Sequence, residues 1–502
     1  MANFVTDVVE AKAPGELALV AIDAAGARRE WTFAQIAAAT RALSAQLADH
    51  GIQRGDVVAT MCGSRMEWVI TLLACLRQGV VAAPYSPMLR AGDLEVRAAG
   101  ARPRLVIADE AHLDTLAAAG ASEIWTLGRL DLDEDTGAHP PPPAVDLDPL
   151  DPAFLLFTSG STGTPKPVWH AARYIEGQRL QAEHWLGARP GDVVWSTAGP
   201  GWSKSTRNSF IAPWLCGASA VIHEGRFEPA QRMEIVRAER VSVLCMSPTE
   251  WRRVVQAGAH GPEPSLHRIV AAGEPLDAPT VHAWEAATGL ILADGYGQTE
   301  TGHMAAATVE MPAPPGSVGR PLPGIVTRLV DGALEVDAAT VPTLSLVPDA
   351  ELVDGRWWRT GDLFDVDADG FLYFRSRADD VIISSGYRID PVEVEQALRT
   401  HPGVRDCIVA GIEEETRGEI VAALVVPVEG SGSDELAAVL QHHVREVTAP
   451  YKYPRRVAFT DALPLTGTGK PARGRGRELL AQERPANQAH AASGDEPPRR
   501  GD

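Results

Sequence analysis

The stretch whose reading decides the fold is LLFTSGSTGTPKPVWH, residues 155–170. Its apolar start has the composition of a core strand, and the apolar run stops abruptly at Thr158. Small and hydroxyl-bearing residues fill positions 158–164, and Pro165 and Lys166 follow. Gly160 and Gly163 let the backbone turn with its N–H groups facing inward, an arrangement that binds anions. Thr158, Ser159, Ser161, Thr162 and Thr164 add hydroxyl donors, and Lys166 adds a positive charge. The segment therefore reads as a phosphate loop. It is not a Walker A loop: GxxxxGK[ST] needs Gly-Lys followed by a hydroxyl, and Lys166 is flanked by prolines. Gly467-Thr468-Gly469-Lys470 fails the same test, with Pro464 in place of the first glycine and Pro471 in place of the hydroxyl.

Outward from this loop, short β-branched or apolar runs alternate with helical patterns from about residue 30 to 300. Strands are expected at Val57–Met61, Arg104–Ala108, Phe154–Phe157, Val193–Ser196, Ala220–His223, Val241–Met246 and Arg268–Ala272. Amphipathic helices are expected at Phe33–Asp49 and Trp68–Arg77. That alternation predicts α/β layers with largely parallel sheets. The Asp-rich segment 131–152, with its prolines at 140–143, reads as an exposed connection. Glycine-punctuated strands at about 316–375 suggest a small β subdomain. A smaller α+β unit follows: helices at Pro391–Leu398 and Asp434–Val447, and strands at Ile408–Ala410, Val421–Val426 and Arg456–Phe459. Residues 481–502 lack apolar periodicity and are expected to be a disordered tail.

The totals exclude several classes. The chain has 502 residues, room for two to four domains, and a formal net charge of -20. That charge argues against binding nucleic acid or an anionic membrane. No uncharged apolar run approaches the roughly 18 residues that cross a bilayer, and residues 1–12 lack the pattern of a signal peptide. The five cysteines are scattered and form no CxxC pair, so neither a disulfide framework nor a zinc site is expected. A soluble cytoplasmic protein is the expectation.

Further motifs surround the loop: GEP at 273–275, DGYGQTETG at 294–302, RTGDLFDVDADGFLYFRSRADDVIISSGYRIDPVEVE at 359–395, and LPLTGTGKPARGR at 463–475. Taken in this order, from about residue 30 to 480, the chain resembles the adenylate-forming superfamily. Within it the chain is most similar to the medium-chain acyl-CoA synthetases, by RADDVIISSGYRI, by VTAPYKYPRRVAF at 447–459, and by the GWSKS, APW and GA frame of 201–218. The resemblance implies an N-terminal AMP-binding domain at 1–378 and a small mobile C-terminal domain at 380–480. It implies an acid–thiol ligase that uses ATP, Mg²⁺ and coenzyme A and passes through an acyl-AMP intermediate.

The same resemblance assigns roles. The loop at 158–166 holds the leaving phosphates. Glu300 is the Mg²⁺-associated carboxylate and Thr299 a donor to the α-phosphate; a hard dication with few protein ligands suits Mg²⁺. Gly273, Glu274, Pro275, Asp294, Gly295, Tyr296, Gly297 and Gln298 form the nucleotide site, with Tyr296 offering a face for adenine. Asp362 accepts hydrogen bonds from the ribose hydroxyls. Arg377 and Arg388 are nucleotide contacts, and Asp379 is the hinge, although serine stands at 376 where the family has glycine. Lys470 is the catalytic lysine, offsetting charge between carboxylate and α-phosphate. Ser385, Gly386, Tyr387 and Arg388 form the loop that lines the pantetheine tunnel, where glycine permits close backbone approach.

The acyl group is less defined. The segment GWSKSTRN at 201–208 has no acid to meet an α-ammonium, and no carrier motif follows the C-terminal unit, so a non-amino acid is favoured. Trp202, Ser203, Lys204 and Gly297 are expected to line the pocket. Lys204 meets a polar substrate or points to solvent. Acetate-specific relatives carry tryptophan where Gly297 stands, so glycine is expected to leave the pocket floor open. Medium-chain, branched and aryl acids remain, and the acceptor is coenzyme A or, alternatively, a carrier protein.

Overall fold

The computed structural model describes residues 1–132, 141–158, 165–414, 418–428, 430, 432–466 and 471–482. The chain divides into two compact units, Met1–Phe374 and Arg375–Asp502. The first unit is built on three sheets, two of them mainly parallel.

The larger sheet has nine strands in the order Arg320–Pro321, Gly302–Ala306, Leu292–Gln298, Arg268–Ala272, Val243–Met246, Val193–Ser196, Ser219–His223, Leu17–Ile22 and Arg28–Thr32. Its strands run parallel from Leu17–Ile22 to Leu292–Gln298, with antiparallel strands at both margins. The second sheet orders Ile124–Thr126, Leu105–Ala108, Val57–Met61, Val81–Tyr85, Pro152–Thr158 and Lys166–Ala171. Every residue of Val57–Met61 is buried, as expected for a central parallel strand covered on both faces. A four-stranded antiparallel sheet, Thr327–Val330, Ala333–Asp337, Trp357–Val366 and Leu372–Arg377, carries the chain to the end of the first unit.

Local chemistry sets the helix bounds. Phe33–Asp49 begins at a capping box in which the Thr32 side chain accepts from Gln35 N–H and the Gln35 side chain accepts from Thr32 N–H. Its buried positions Phe33, Ile36, Ala37, Thr40, Leu43, Ser44 and Leu47 follow the 3.6-residue period. Met66–Gln78 stops where Gly79 takes φ of 68°, the left-handed conformation that closes a helix. Six tryptophans (68, 185, 195, 214, 251 and 284) are fully buried in this unit.

The second unit centres on the long hairpin Val404–Glu414 and Gly418–Pro427; Arg456–Phe459 and Ile382–Ser384 both pair with Gly418–Pro427, and Tyr387–Ile389 pairs with Ile382–Ser384. Helices Pro391–Arg399, Asp434–Val447 and Arg473–Gln482 belong to it. Inside it Arg473 bridges Asp380 and Glu395 at 2.9 and 2.7 Å.

Several strands depart from the sequence expectation. Val81–Tyr85 is fully buried despite Pro84, and Lys166–Ala171 is a strand and not the tail of a loop. Leu17–Ile22 and Arg28–Thr32 precede the expected start of the fold. Among the described residues no helix is long and apolar enough to cross a membrane.

Candidate active site

The carboxyl ends of parallel strands collect ligands because helix starts and free backbone groups converge there. In the larger sheet, Arg268–Ala272 and Leu292–Gln298 end side by side, with Ala271 opposite Asp294 and Ala272 opposite Gly295. Gly273 leaves its strand with φ of 104°, a conformation closed to other residues, and Glu274 and Pro275 follow. The Glu274 carboxylate accepts from the Thr249 hydroxyl at 2.5 Å. Thr249 lies in the first turn of Pro248–Gln256, which Ser247 and Glu250 cap reciprocally.

Asp362 is the most connected of the expected residues. It is 6% exposed, and its Oδ2 accepts from the Tyr296 hydroxyl at 2.5 Å and from Gln298 Nε2 at 2.9 Å. Gln298 Nε2 also donates to the Thr360 carbonyl, and its Oε1 accepts from Trp358 Nε1 at 3.1 Å. With both ends of its amide engaged by protein, Gln298 orients Asp362 instead of offering its side chain to a nucleotide. The Tyr296 ring packs edge-on against Phe364 at 4.8 Å.

Thr299 and Glu300 lie in the turn between Leu292–Gln298 and Gly302–Ala306. The Thr299 carbonyl is 2.8 Å from His170 Nε2, and the Glu300 carbonyl accepts from Ser345 N–H at 2.7 Å. His170 is buried beneath this turn, and burial pulls its pKa down to about 3, so the ring stays neutral and donates to Thr299. Among the described residues no three carboxylate, His or Cys side chains gather as a metal site. Glu300 can thus supply one oxygen to a dication whose remaining ligands come from phosphate and water.

The segment expected to be the phosphate loop is bracketed by an antiparallel ladder in which Thr158 pairs with Lys166, and Lys166 is exposed. Ser159, Gly160, Ser161, Thr162, Gly163 and Lys470 lie outside the described residues, as does most of the tail expected at 481–502. Leu465 and Pro471 form a bridge that closes the base of the Lys470 segment.

Asp294 turns inward. It is 5% exposed, its carboxyl accepts from the Gly295 N–H at 2.8 Å, and burial pushes its pKa up to about 8. The nearby charge is Lys204, which does not point to solvent: it is 5% exposed, donates to the Ala272 carbonyl at 2.8 Å, and lies 5.2 Å from the Trp202 ring. Trp202 and Ser203 are half-buried at the start of the same short helix.

Gly297 corrects the sequence expectation. A Cβ there would stand 1.8 Å from the Gly302 carbonyl oxygen and 2.9 Å from His303 Cα, both backbone atoms of the adjoining strand. The register shifts between Tyr296 and Gly297, and this irregularity presses the two strands together. Glycine is required here by the backbone crossing, so its lack of a side chain does not report the depth of an acyl pocket.

In the second unit Ser385 and Gly386 have φ of 50° and 82° and link Ile382–Ser384 to Tyr387–Ile389 as a two-residue hairpin turn. Two successive positive φ values are the mark of a type I′ turn. Tyr387, half exposed, stacks on Tyr451 at 4.4 Å, and Arg388 pairs in register with Ile383. Arg377 and Asp379 pair at 3.2 Å, both about half exposed.

The sequence reading missed Thr249, His170, Arg207 and His303. Their partners lie 25 to 129 residues away, beyond any local pattern. One signal was present: Arg207 is a charge that leads into the apolar run FIAPWL at 210–215.

A family model described as AMP-binding enzyme matches residues 7–342, and one described as AMP-binding enzyme C-terminal domain matches 393–470. An uncharacterized acyl–CoA ligase of Bacillus subtilis, YtcI, is 38% identical over 341 residues, covering 64% of this chain and 64% of the relative. The matched part thus spans less than two thirds of that relative. Among solved structures, an acyl-CoA synthetase of Brucella canis is 30% identical with a TM-score of 0.72, covering 95% of this chain and 94% of that one. The anthranilate CoA ligase AuaEII in complex with anthranoyl-AMP is 27% identical with a TM-score of 0.84, covering 95% of this chain and 97% of that one.

Proposed function

The chain belongs to the AMP-binding enzyme family, and from that premise we propose that it is an ATP-dependent ligase joining a non-amino carboxylic acid to coenzyme A. An oxygen of the acid attacks the α-phosphorus of ATP, the bond to the bridging oxygen breaks, and pyrophosphate leaves. The thiolate of coenzyme A then attacks the carbonyl carbon of the acyl-AMP, and AMP leaves. The acyl–CoA ligase and anthranoyl-AMP relatives support both halves.

The observation that carries the reading is the Asp362 carboxylate, held by Tyr296 and Gln298 beside the carboxyl ends of the parallel strands. Two vicinal ribose hydroxyls suit one rigid anionic acceptor. Gly273-Glu274-Pro275 borders the nucleoside, and the Thr158–Lys166 ladder fixes the base of the loop assigned to the phosphates. Thr299 and Glu300 sit on a turn whose carbonyls are tied down by His170 and Ser345, which keeps a donor and a metal ligand in place. Mg²⁺ bound through Glu300 and phosphate oxygens would supply charge neutralisation for the departing pyrophosphate. Lys470 adds a cation to adenylation, Asp379 serves as the pivot after Phe374, and the Ser385–Gly386 turn meets the pantetheine arm. The five cysteines are thiols and not disulfides, which supports a cytoplasmic location.

The test is pyrophosphate release with ATP and Mg²⁺ across a panel of carboxylic acids, with and without coenzyme A. Acid-dependent release and a thioester product are expected. Lys470→Ala should nearly abolish adenylate formation yet still convert supplied acyl-AMP to thioester. Release that ignores the acid would refute the ligase reading; adenylate without thioester would move the acceptor to a carrier protein.

A further inference from the structure

Arg207 opens the π-helical turn Arg207–Ile211 and is 4% exposed. Its Nη2 is 3.1 Å from His303 Nδ1, while its Nε and Nη1 have no hydrogen-bond partner. The titratable groups that feel its charge are His170, His303, Tyr174 and Cys245. Burial holds both imidazoles neutral and raises the tyrosine and the thiol, so none of these supplies a negative charge at neutral pH. Lys204 is a second buried cation beside His303, and it couples to Asp294, whose carboxyl burial holds protonated up to about pH 8. These groups therefore leave the two cations without a counter-charge at neutral pH.

The unsatisfied atoms around Arg207 are mostly donors. Neutral His303 accepts from Arg207 through Nδ1, so its proton sits on Nε2, and that Nε2 is without a partner. Trp185 stacks on His303 at 3.9 Å, and its Nε1 is unpartnered too, whereas the Tyr174 hydroxyl faces Arg207 as an acceptor. Trp185 Nε1 and His303 Nε2 converge on the space that Gly295 leaves, 2.7 and 2.8 Å from where a Cβ would stand. Buried polar atoms in folded proteins are nearly always paired, and idle donors ask for an acceptor. His303 pairs in register with Gly297, so this face adjoins the strand that carries the nucleotide motif.

We infer that the acid this chain activates carries a second carboxylate, and that Arg207, oriented by His303, binds it. The inference rests on the ligase reading and narrows it to dicarboxylic acids. A planar guanidinium with two idle donors matches a carboxylate in a two-point fork, and desolvation strengthens the pairing. An aliphatic monocarboxylic acid would leave the cation and its donors unmet.

The experiment measures kcat/KM for pyrophosphate release by the full chain with ATP, Mg²⁺ and coenzyme A. The substrates are straight-chain monocarboxylic acids and α,ω-dicarboxylic acids of equal carbon number. The wild type should favour its best dicarboxylate at least tenfold over the matching monocarboxylate. Arg207→Met should lower that ratio by at least tenfold, which is 1.4 kcal/mol, and Arg207→Lys should fall between. A second measurement needs no variant: in the presence of AMP, the preferred dicarboxylate should raise the melting temperature of the wild-type chain and the monocarboxylate should not. Turnover of monocarboxylates alone, or a ratio untouched by Arg207→Met in a folded variant, overturns the inference and leaves the ligase reading standing. Silence with both series brings down both.

Discussion

Replacing Gly297 with alanine separates two accounts of the residue. If glycine merely keeps an acyl pocket deep, one methyl group trims the longest acids and leaves the fold alone. The structure gives another outcome. The new Cβ would lie 1.8 Å from the Gly302 oxygen, 2.7 Å from its carbon and 2.9 Å from His303 Cα. A carbon sits comfortably at about 3.3 Å from a carbonyl oxygen, so the strands must part by about 1.5 Å. Overpacking costs about 1–3 kcal/mol where side chains can yield. Here only backbone faces the intruder, which places the cost near 3 kcal/mol, or about 4 °C in melting temperature for a unit of this length. Parting the strands also moves His303 away from Arg207 and Trp185, so activity falls on every acid. Thermal unfolding and pyrophosphate release over a chain-length series decide the matter. An alanine variant that melts within about 1 °C of the parent and changes only its chain-length profile would refute the backbone argument.

Asp362→Ala removes the acceptor for Tyr296 and Gln298 and should weaken ATP binding by about 1–3 kcal/mol, measured by titration calorimetry; unchanged affinity contradicts the ribose role. Gly386→Leu meets no atom within 4 Å but forces a branched residue to φ of 82°, at about 1–2 kcal/mol. Single-turnover assays should show adenylation kept and thioester formation slowed, and equal losses would argue against the turn's role with coenzyme A. Asp294 has an alternative charge state to offer. Its carboxyl stays protonated in the folded chain up to about pH 8, while the unfolded chain ionises near its ordinary value of 3.8. Folding thus takes up a proton between these limits, and stability falls as pH rises through that window. Asp294→Asn should flatten the decline in a series of urea melts from pH 5 to 9, and an equally steep decline would clear Asp294 of it.

The parts of this fold that sequence reveals are those where one residue type answers a local demand. Thr32 and Gln35 mark a helix start, Gly79 marks an end, and the buried run Val57–Met61 marks a central strand. Arg28–Thr32 escaped because an edge strand with three exposed residues has no apolar run to show. Val81–Tyr85 escaped because Pro84 reads as a breaker, yet it sits in a fully buried parallel strand. In the site, motif residues were legible and the residues that hold them were not. Asp362 was visible in its TGD, but its fixing by Gln298 depends on Trp358 and Thr360. Lys204 left two directions open from sequence, and only the carbonyl of Ala272, 68 positions away, selects one. Gly297 was noticed for the right letter and the wrong cause, since its constraint comes from Gly302 across a bulge.

The pairing of Gly297 with His303 also bears on how such a chain could change its diet. One side of that hairpin carries the residues assigned to the nucleotide, and the other carries the imidazole that steadies Arg207. A substitution at 303 pulls on both, so drift there risks the chemistry common to every acid. Position 207 stands on a separate turn of helix and touches the hairpin only through side chains. Natural or directed variation in the acid should therefore accumulate first at 207, where a new side chain can be tried without disturbing the strand that all substrates share.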